Sequence, residues 1–316
     1  MPSSLRYSAS RLSRQKAGRR LAALGLFLAL GATACTRLIV NRVGSALKAD
    51  GSVFAAEDDP ELVREAIPFG LKTLESLLET SPDNDNLLLA SASGFTQYAY
   101  AFVLQDAQML EESQPTLAKE KTERARRLFQ RAWRYGFRGL EARHKGFQER
   151  FPKDPSILAS MRREDVPLLY WTGVALAAHI SISKDDLKLV GRLPEVEALL
   201  GKALELDEVW NDGAIHEFFL VYQGGREAAA GGALTQAQKH FDRVLTLTGN
   251  QKLAPLLSWA ETVCVQKQDR KTFLTLLDKV LAFDADTAPR YRLVNLVAQR
   301  RARWLKSRVS DLFLEE

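Results

Sequence analysis

The chain has 316 residues, with 44 Lys and Arg against 39 Asp and Glu, which gives a formal net charge of +5. Six of the basic residues precede Cys35, so 38 basic and 39 acidic side chains remain after it. This balance argues against a nucleic-acid-binding surface in the main body of the chain. The only two cysteines, Cys35 and Cys264, exclude a disulfide-rich scaffold.

Residues 1–34 are typical of an export signal. A basic leader is followed by an apolar run from Leu21 to Leu30, which has the length of a signal-peptide core and is shorter than the roughly 20 residues that span a bilayer. Ala32-Thr33-Ala34 then precedes Cys35, as expected for cleavage before a cysteine that becomes lipidated. The same tripeptide also suits ordinary signal peptidase, and Ala32 stands where a lipobox usually has Leu.

We expect lipidation of Cys35 to anchor the protein to a bacterial membrane, facing the periplasm. Thr36 follows the cysteine in place of Asp, which by the enteric sorting pattern favours the outer membrane. Residues 35–57 are predicted to form a tether with one short helix at most. If Cys35 is lipidated, no intramolecular disulfide can form, and Cys264, which lies in an apolar stretch, is predicted to be a small buried side chain.

The stretch 58–103 predicts two antiparallel helices. Asp59 is a suitable N-cap and Pro60 suits the first helical position, while Pro68 is predicted to kink the first helix. A polar turn at 81–84 then ends that helix and caps the next. The second helix carries small residues followed by aromatic ones, a composition that lets a neighbouring helix approach closely.

Further helices follow in chain order. Residues 116–135 predict a charged helix that ends at Gly136 and Gly139, followed by a short helical segment at 137–151. The stretch 167–183 is apolar on nearly every face and is predicted to be the most deeply buried helix. Residues 194–206 predict another helix, and a further one is expected to begin near Gly213.

A weak repeat runs through the second half of the chain. The segments LLGKALEL at 199–206, HFDRVLTL at 240–247 and LLDKVLAF at 276–283 share a pattern of apolar and small residues, and LFQRAWRY at 128–135 is an earlier relative. Their spacing is close to that of tetratricopeptide (TPR) repeats, allowing for insertions. Stacking would bury the apolar faces of such units, and coincidence among leucine-rich helices is the competing explanation of the repeat. We expect an all-α, TPR-like solenoid of helical hairpins over residues 58–316, which the family resemblance given next favours.

Several segments resemble one known family. They are DDPELVREAIPFGLKTLESLLETSPDN, LLLASASGFTQYAYAF, LLYWTGVALAAHISISKDD, LPEVEALLGKALELDE, NDGAIHEFFLVY and RLVNLVAQRRARWL. In this order they are similar to the TRAP transporter T-component family of TPR-like periplasmic lipoproteins, associated with tripartite ATP-independent periplasmic transporters. The resemblance implies an all-helical binding protein that acts with a periplasmic solute-binding protein and self-associates, as a trimer, into a ring-like assembly.

Recognisable catalytic motifs are absent from the sequence. His216-Glu217 begins like the zinc-protease motif H-E-x-x-H, but Leu220 stands where the second histidine is required. No metal site, cofactor or enzymatic activity is therefore predicted. A basic run near the C-terminus is explained either by a terminal helix with partly buried arginines or by a site for an acidic partner; it comprises Arg300, Arg301, Arg303, Lys306 and Arg308.

Six residues are candidates for a groove that contacts a ligand or partner. They are Tyr170, Trp171, His216, Glu217, Phe218 and Tyr222. Aromatic residues at helical spacing are also what a helical core requires, so packing is the competing explanation for each one. Two functions remain open: a TRAP transport accessory that binds a solute-binding protein and assists ligand transfer, and a generic cell-envelope scaffold lipoprotein.

Overall fold

The computed structural model describes residues 52–226 and 233–314, which are helical with no β-strand among them. The first half contains α1 Ser52–Ala55, α2 Pro60–Thr80, α3 Asp85–Tyr98, the π-helical segment π1 Ala99–Leu104, α4 Gln105–Leu110, α5 Pro115–Arg143, α6 Phe147–Arg150 and α7 Val166–Ser181. The second half contains α8 Leu187–Val190, α9 Leu193–Leu206, α10 Trp210–Gly224, α11 Leu234–Thr248, α12 Ala254–Trp259, the π-helical segment π2 Ala260–Cys264, α13 Arg270–Ala282, α14 Arg292–Ser307 and α15 Val309–Leu312. Short 3₁₀ turns connect several of these helices. The predicted all-α class is confirmed, whereas the export signal, Cys35 and most of the tether lie outside the described residues.

The first hairpin follows the local rules of helix capping. Asp59 accepts hydrogen bonds from the backbone N–H groups of Glu61 and Leu62 at 2.9 and 3.0 Å, and Pro60 occupies the first position of α2. The helix continues through Pro68 as one element, so a bend there stays a prediction. Leu62 is 54% exposed, because the buried face of α2 starts one residue later at Val63.

The expected break at Gly136 and Gly139 is wrong, since α5 runs without interruption from Pro115 to Arg143. A Cβ atom at position 136 would lie 2.2 Å from Thr172 Oγ1, and one at position 139 would lie 2.6 Å from a Leu168 methyl group. Both glycines therefore permit the close approach of α7 to α5. Glycine in a helix costs about 1 kcal/mol relative to alanine, which packing of this kind offsets.

Helix α7 lies at the centre of the largest apolar cluster, as its composition predicts. A second cluster surrounds Phe273 in the C-terminal part and includes Cys264, which is buried as expected. Burial raises the pKa of the Cys264 thiol to about 11, so the thiol stays protonated at neutral pH. Another run, 85–110, is long and apolar enough to cross a membrane, but most of its apolar window is buried inside the protein.

Consecutive helices pack as pairs. Helix α3 packs on α5, α7 on α9, α10 on α11, and α12 with π2 on α13. The four similar sequence segments fall on α5, α9, α11 and α13, which are the second members of these pairs. This arrangement agrees with a repeated two-helix unit, although the closer likeness to TPR stacking stays a prediction.

The N-terminal and C-terminal helices are joined through a buried carboxylate, Asp106. Arg64 of α2 donates to it through both Nη atoms at 2.6 and 3.1 Å, and Arg300 of α14 donates at 2.6 Å. Lys121 of α5 lies 3.4 Å away. We call these four side chains the Asp106 clasp. It connects positions 194 residues apart in the sequence, so the helical array is closed by a contact between its two ends.

The basic run at the C-terminus is largely neutralised by the protein's own carboxylates. Arg300 pairs with Asp106, and the other pairs are Arg301–Glu261, Lys306–Asp278 and Arg308 with both Glu112 and Asp311. The first explanation of this run, a terminal helix with partly buried arginines, therefore fits the structure better than a free surface for an acidic partner.

Candidate functional site

Tyr170 and Trp171, two of the predicted groove residues, lie in α7. The Tyr170 ring is buried, with its centroid 5.0 Å from that of Trp171 and 4.7 Å from that of Trp210. Burial, with a smaller contribution from the charge of Glu217, raises the pKa of Tyr170 well above its usual value. Both aromatic rings belong to the core around α7 or pack against it, as the competing explanation requires.

His216 lies where α10 packs on α11. Its Nδ1 atom is 2.8 Å from Nδ1 of His240, and its Nε2 atom is 3.2 Å from a carboxylate oxygen of Glu208. Since Nε2 faces a carboxylate, the network assigns the proton to Nε2 of His216 and makes His240 the donor between the rings. Burial lowers the pKa of both histidines, that of His240 to about 4.

Phe218 and Tyr222 stack on one another along α10, with ring centroids 5.4 Å apart. The Tyr222 hydroxyl donates to Glu197, and the guanidinium of Arg226 lies 4.6 Å from the Tyr222 ring centroid. Burial and the bond to Glu197 raise the pKa of the Tyr222 hydroxyl above its usual value.

Glu217 differs from the other five candidates because its charge acts on tyrosines of several separate elements. Its Oε2 atom is 2.7 Å from Lys252 Nζ. Its negative charge also contributes to the raised pKa values of Tyr100, Tyr170 and Tyr291, which come from π1, α7 and the turn before α14. Glu217 therefore lies at a point on which distant parts of the chain converge.

Tyr100 lies close to Glu217 and to two further charged side chains. Its side chain is 55% exposed, yet the surrounding protein raises its pKa to about 12, mainly by desolvation and then by the charges of Glu261 and Glu217. Arg301 opposes this shift. The charges of Glu261, Glu217 and Arg301 all act on the Tyr100 hydroxyl, so these side chains lie near it. We call Tyr100, Glu217, Glu261 and Arg301 the inner site.

The inner site was not predicted from the sequence, apart from Glu217. Tyr100 and Glu261 lie in the two π-helical segments, where one extra residue per turn changes the direction of the side chains. Short π-helical segments occur often at functional sites, but a sequence pattern of 3.6-residue period does not reveal them. The position of Arg301 depends on α14 packing back on the rest of the chain.

The inner site has the chemistry of a polar binding site. Arg301 Nε donates to Glu261 at 2.6 Å, and its guanidinium lies 4.2 Å from the Trp304 ring centroid. Arg301 Nη1 and Glu217 Oε1 are buried and have no hydrogen-bond partner among the described residues. An unpaired buried donor and acceptor each cost about 1–3 kcal/mol, a cost that a ligand pairing with them would remove. In the described part of the chain no group of three or more His, Cys, Asp or Glu side chains is arranged to hold a metal ion.

Comparison with known proteins gives one family and one relative. The model of the family described as TRAP transporter T-component matches residues 56–313. A protein of Treponema pallidum (strain Nichols), described as an uncharacterized protein, is 30% identical over 268 residues, which cover 83% of this chain and 83% of the relative.

Proposed function

Because this chain belongs to the TRAP transporter T-component family, we propose that it binds the solute-binding protein of a tripartite ATP-independent periplasmic transport system and assists transfer of the solute. The observation that supports the ligand-transfer part is the inner site, where Arg301 Nη1 and Glu217 Oε1 are buried without a hydrogen-bond partner among the described residues. Binding and transfer require such a site, and neither requires covalent chemistry.

The ligand is proposed to be a small polar solute with both an acceptor and a donor. The acceptor would pair with Arg301, the donor with Glu217, and the Tyr100 hydroxyl would add a third hydrogen bond. A purely apolar solute would leave the two buried polar atoms unpaired.

Partner binding is tested by affinity capture of the full-length chain, purified in mild detergent, from periplasmic extract, with mass identification of retained proteins. We expect a TRAP solute-binding protein at a defined stoichiometry. Retention of envelope-assembly proteins alone would replace the proposal with the generic scaffold function. Sedimentation of the same preparation tests the proposed homotrimer.

The ligand site is tested separately by native mass spectrometry of protein isolated from cells. We expect a bound small-molecule mass in the wild type and its loss in Arg301→Gln and Glu217→Gln. Lys306→Gln is the control, because Lys306 lies on the same helix and forms an exposed pair with Asp278. Equal ligand content in all of these proteins would rule out the inner site.

The membrane attachment is proposed to come from a lipid on Cys35, with the folded part facing the periplasm. Cys35→Ala should leave an unprocessed precursor or release soluble protein, with unchanged helix content by circular dichroism. Processed Cys35→Ala protein that still fractionates with membranes would show that the anchor is wrong.

A further inference from the structure

Helix α5 carries more Lys and Arg side chains than any other single element of the described chain. Its 29 residues include nine Lys and Arg against three Glu. Four of the arginines recur at intervals of four, three and four residues, which places them on one face of the helix: Arg127, Arg131, Arg134 and Arg138. We call this set the arginine stripe. It extends over about 16 Å of helix.

The arginine stripe is mostly unpaired, unlike the basic run on α14, whose side chains are largely matched by the protein's own carboxylates. Arg127 and Arg134 are exposed and have no carboxylate partner among the described residues. Arg131 lies 3.3 Å from one oxygen of Glu75, and Arg138 donates only to the backbone carbonyl of Pro82 at 2.8 Å. Like charges at this spacing repel one another, so the stripe is destabilising unless anions bind it.

The C-terminal half of the stripe borders a cleft of about 370 Å³. Arg134 and Arg138 lie on its wall beside the aromatic rings of Trp133 and Phe137. Arg192 on the facing side is already held by Glu195 through two hydrogen bonds of 2.9 and 3.0 Å. The cleft therefore combines an apolar, aromatic surface with two guanidinium groups that have no carboxylate partner in the described structure.

We propose that the arginine stripe and this cleft form a docking surface for an acidic segment of a partner protein. Arginine matches carboxylates in a planar, two-pronged geometry, and a row of four arginines suits carboxylates repeated along a peptide. A small anion would engage only one or two of the four, whereas an extended peptide engages the whole stripe and enters the cleft. A flat bilayer surface cannot enter the cleft. This inference does not rest on the proposed transport function.

The test uses the full-length chain in non-ionic detergent and a fluorescein-labelled polyglutamate peptide of about twelve residues, measured by fluorescence anisotropy. We expect binding that weakens as salt is raised, and no binding of a polyglutamine peptide of equal length. The double variant Arg127→Glu with Arg134→Glu should bind polyglutamate roughly tenfold more weakly.

The matched control is Arg303→Glu with Lys279→Glu, which changes the net charge equally at two exposed positions on α14 and α13. We expect less than about twofold weakening, with thermal unfolding of both double variants followed by circular dichroism to confirm that they are folded. If both double variants bind polyglutamate equally weakly, net charge alone explains the loss of affinity and the proposal is overturned. Absence of polyglutamate binding at low salt would also overturn it.

A monomeric short-chain phosphatidylglycerol serves as a competitor. The lipid and unlabelled polyglutamate are compared by how much labelled peptide each displaces per negative charge. If the lipid displaces more, and only from the protein with an intact stripe, the surface binds lipid headgroups and the acidic-peptide proposal is wrong. Weaker competition by the lipid supports the proposal.

Discussion

Replacing Asp106 with Asn should weaken the whole fold, because this side chain holds α2, α5 and α14 together. The substitution keeps the shape of the side chain and one acceptor oxygen but removes the negative charge. Arg64 and Arg300 would then face one another with Lys121 nearby and no anion between them. Asp106 is buried, so water cannot replace the lost charge.

The magnitude follows from the burial of the clasp. Removing one partner of a buried ion pair costs about 3–5 kcal/mol, since the remaining charges stay uncompensated. The three cationic side chains are between 23% and 35% exposed, which allows partial rehydration. We therefore expect a loss near the lower end, about 3 kcal/mol in the free energy of unfolding.

The assay is urea denaturation at pH 7, followed by far-ultraviolet circular dichroism. Asp278→Asn is the control: Asp278 also pairs with a cation of α14 but is 61% exposed, so its loss should cost less than about 1 kcal/mol. The hydrogen bonds from Arg64 and Arg300 lower the pKa of Asp106 despite its burial. Its stabilising contribution is present above the unfolded-state pKa of about 3.9 and is lost as pH falls through the lower folded value.

The difference in the free energy of unfolding between the wild type and Asp106→Asn should accordingly become smaller below about pH 4. The refuting result is an equal loss of unfolding free energy in Asp106→Asn and Asp278→Asn at pH 7, in both low and moderate salt. It would show that the clasp does not hold the two ends of the array together.

Two further predictions concern helix packing and acid stability. Gly136→Ala should lower the free energy of unfolding by about 1–3 kcal/mol, because the added methyl group would collide with Thr172. In the control, Gly201→Ala, the added methyl group meets no atom within 4 Å and should stabilise α9 by up to about 1 kcal/mol. Thermal melts that rank the two variants the other way would contradict this prediction. The pKa of His240 is lowered from 6.5 to about 4, so the unfolded chain takes up a proton in this interval that the folded chain does not, and stability should fall between pH 6.5 and 4. His240→Gln should flatten that decline in unfolding measured across the same pH range, and an unchanged slope would assign the pH dependence to other groups, His216 first.

The fold class was predictable because it depends on local signals. Asp59 and Pro60 start α2 in the manner that capping rules require. The apolar composition of 167–183 indicates a deeply buried helix, but α3, with nine of its 14 residues buried, equals α7, with ten of 16, so burial does not single α7 out. The error at Gly136 has a specific cause. A glycine in a helical sequence signals either an end or a close contact, and only the position of Thr172 on a different helix decides between them.

The inner site was predictable only in part. Glu217 was among the six candidates for a groove, but the side chains that surround it were not predicted. Tyr100 and Glu261 are positioned in the inner site by π-helical segments, and Arg301 by the packing of α14 against π2. Tyr170 and Trp171 were singled out as aromatic residues, but aromatic content does not distinguish a groove from a core. Whether the six candidates contact a ligand stays a prediction.

The Asp106 clasp also affects the order of folding. In a linear repeat array each unit contacts only its neighbours, so folding can nucleate anywhere and spread. Here Arg300 and Asp106 must meet across 194 residues, a contact with a large loop-closure entropy that forms slowly. Helices α2 to α5 can assemble early, but Asp106 lacks its hydrogen bond from Arg300 until α14 has packed against them. Completion of the helical array thus depends on its last long helix, and α2 and α14 should unfold together.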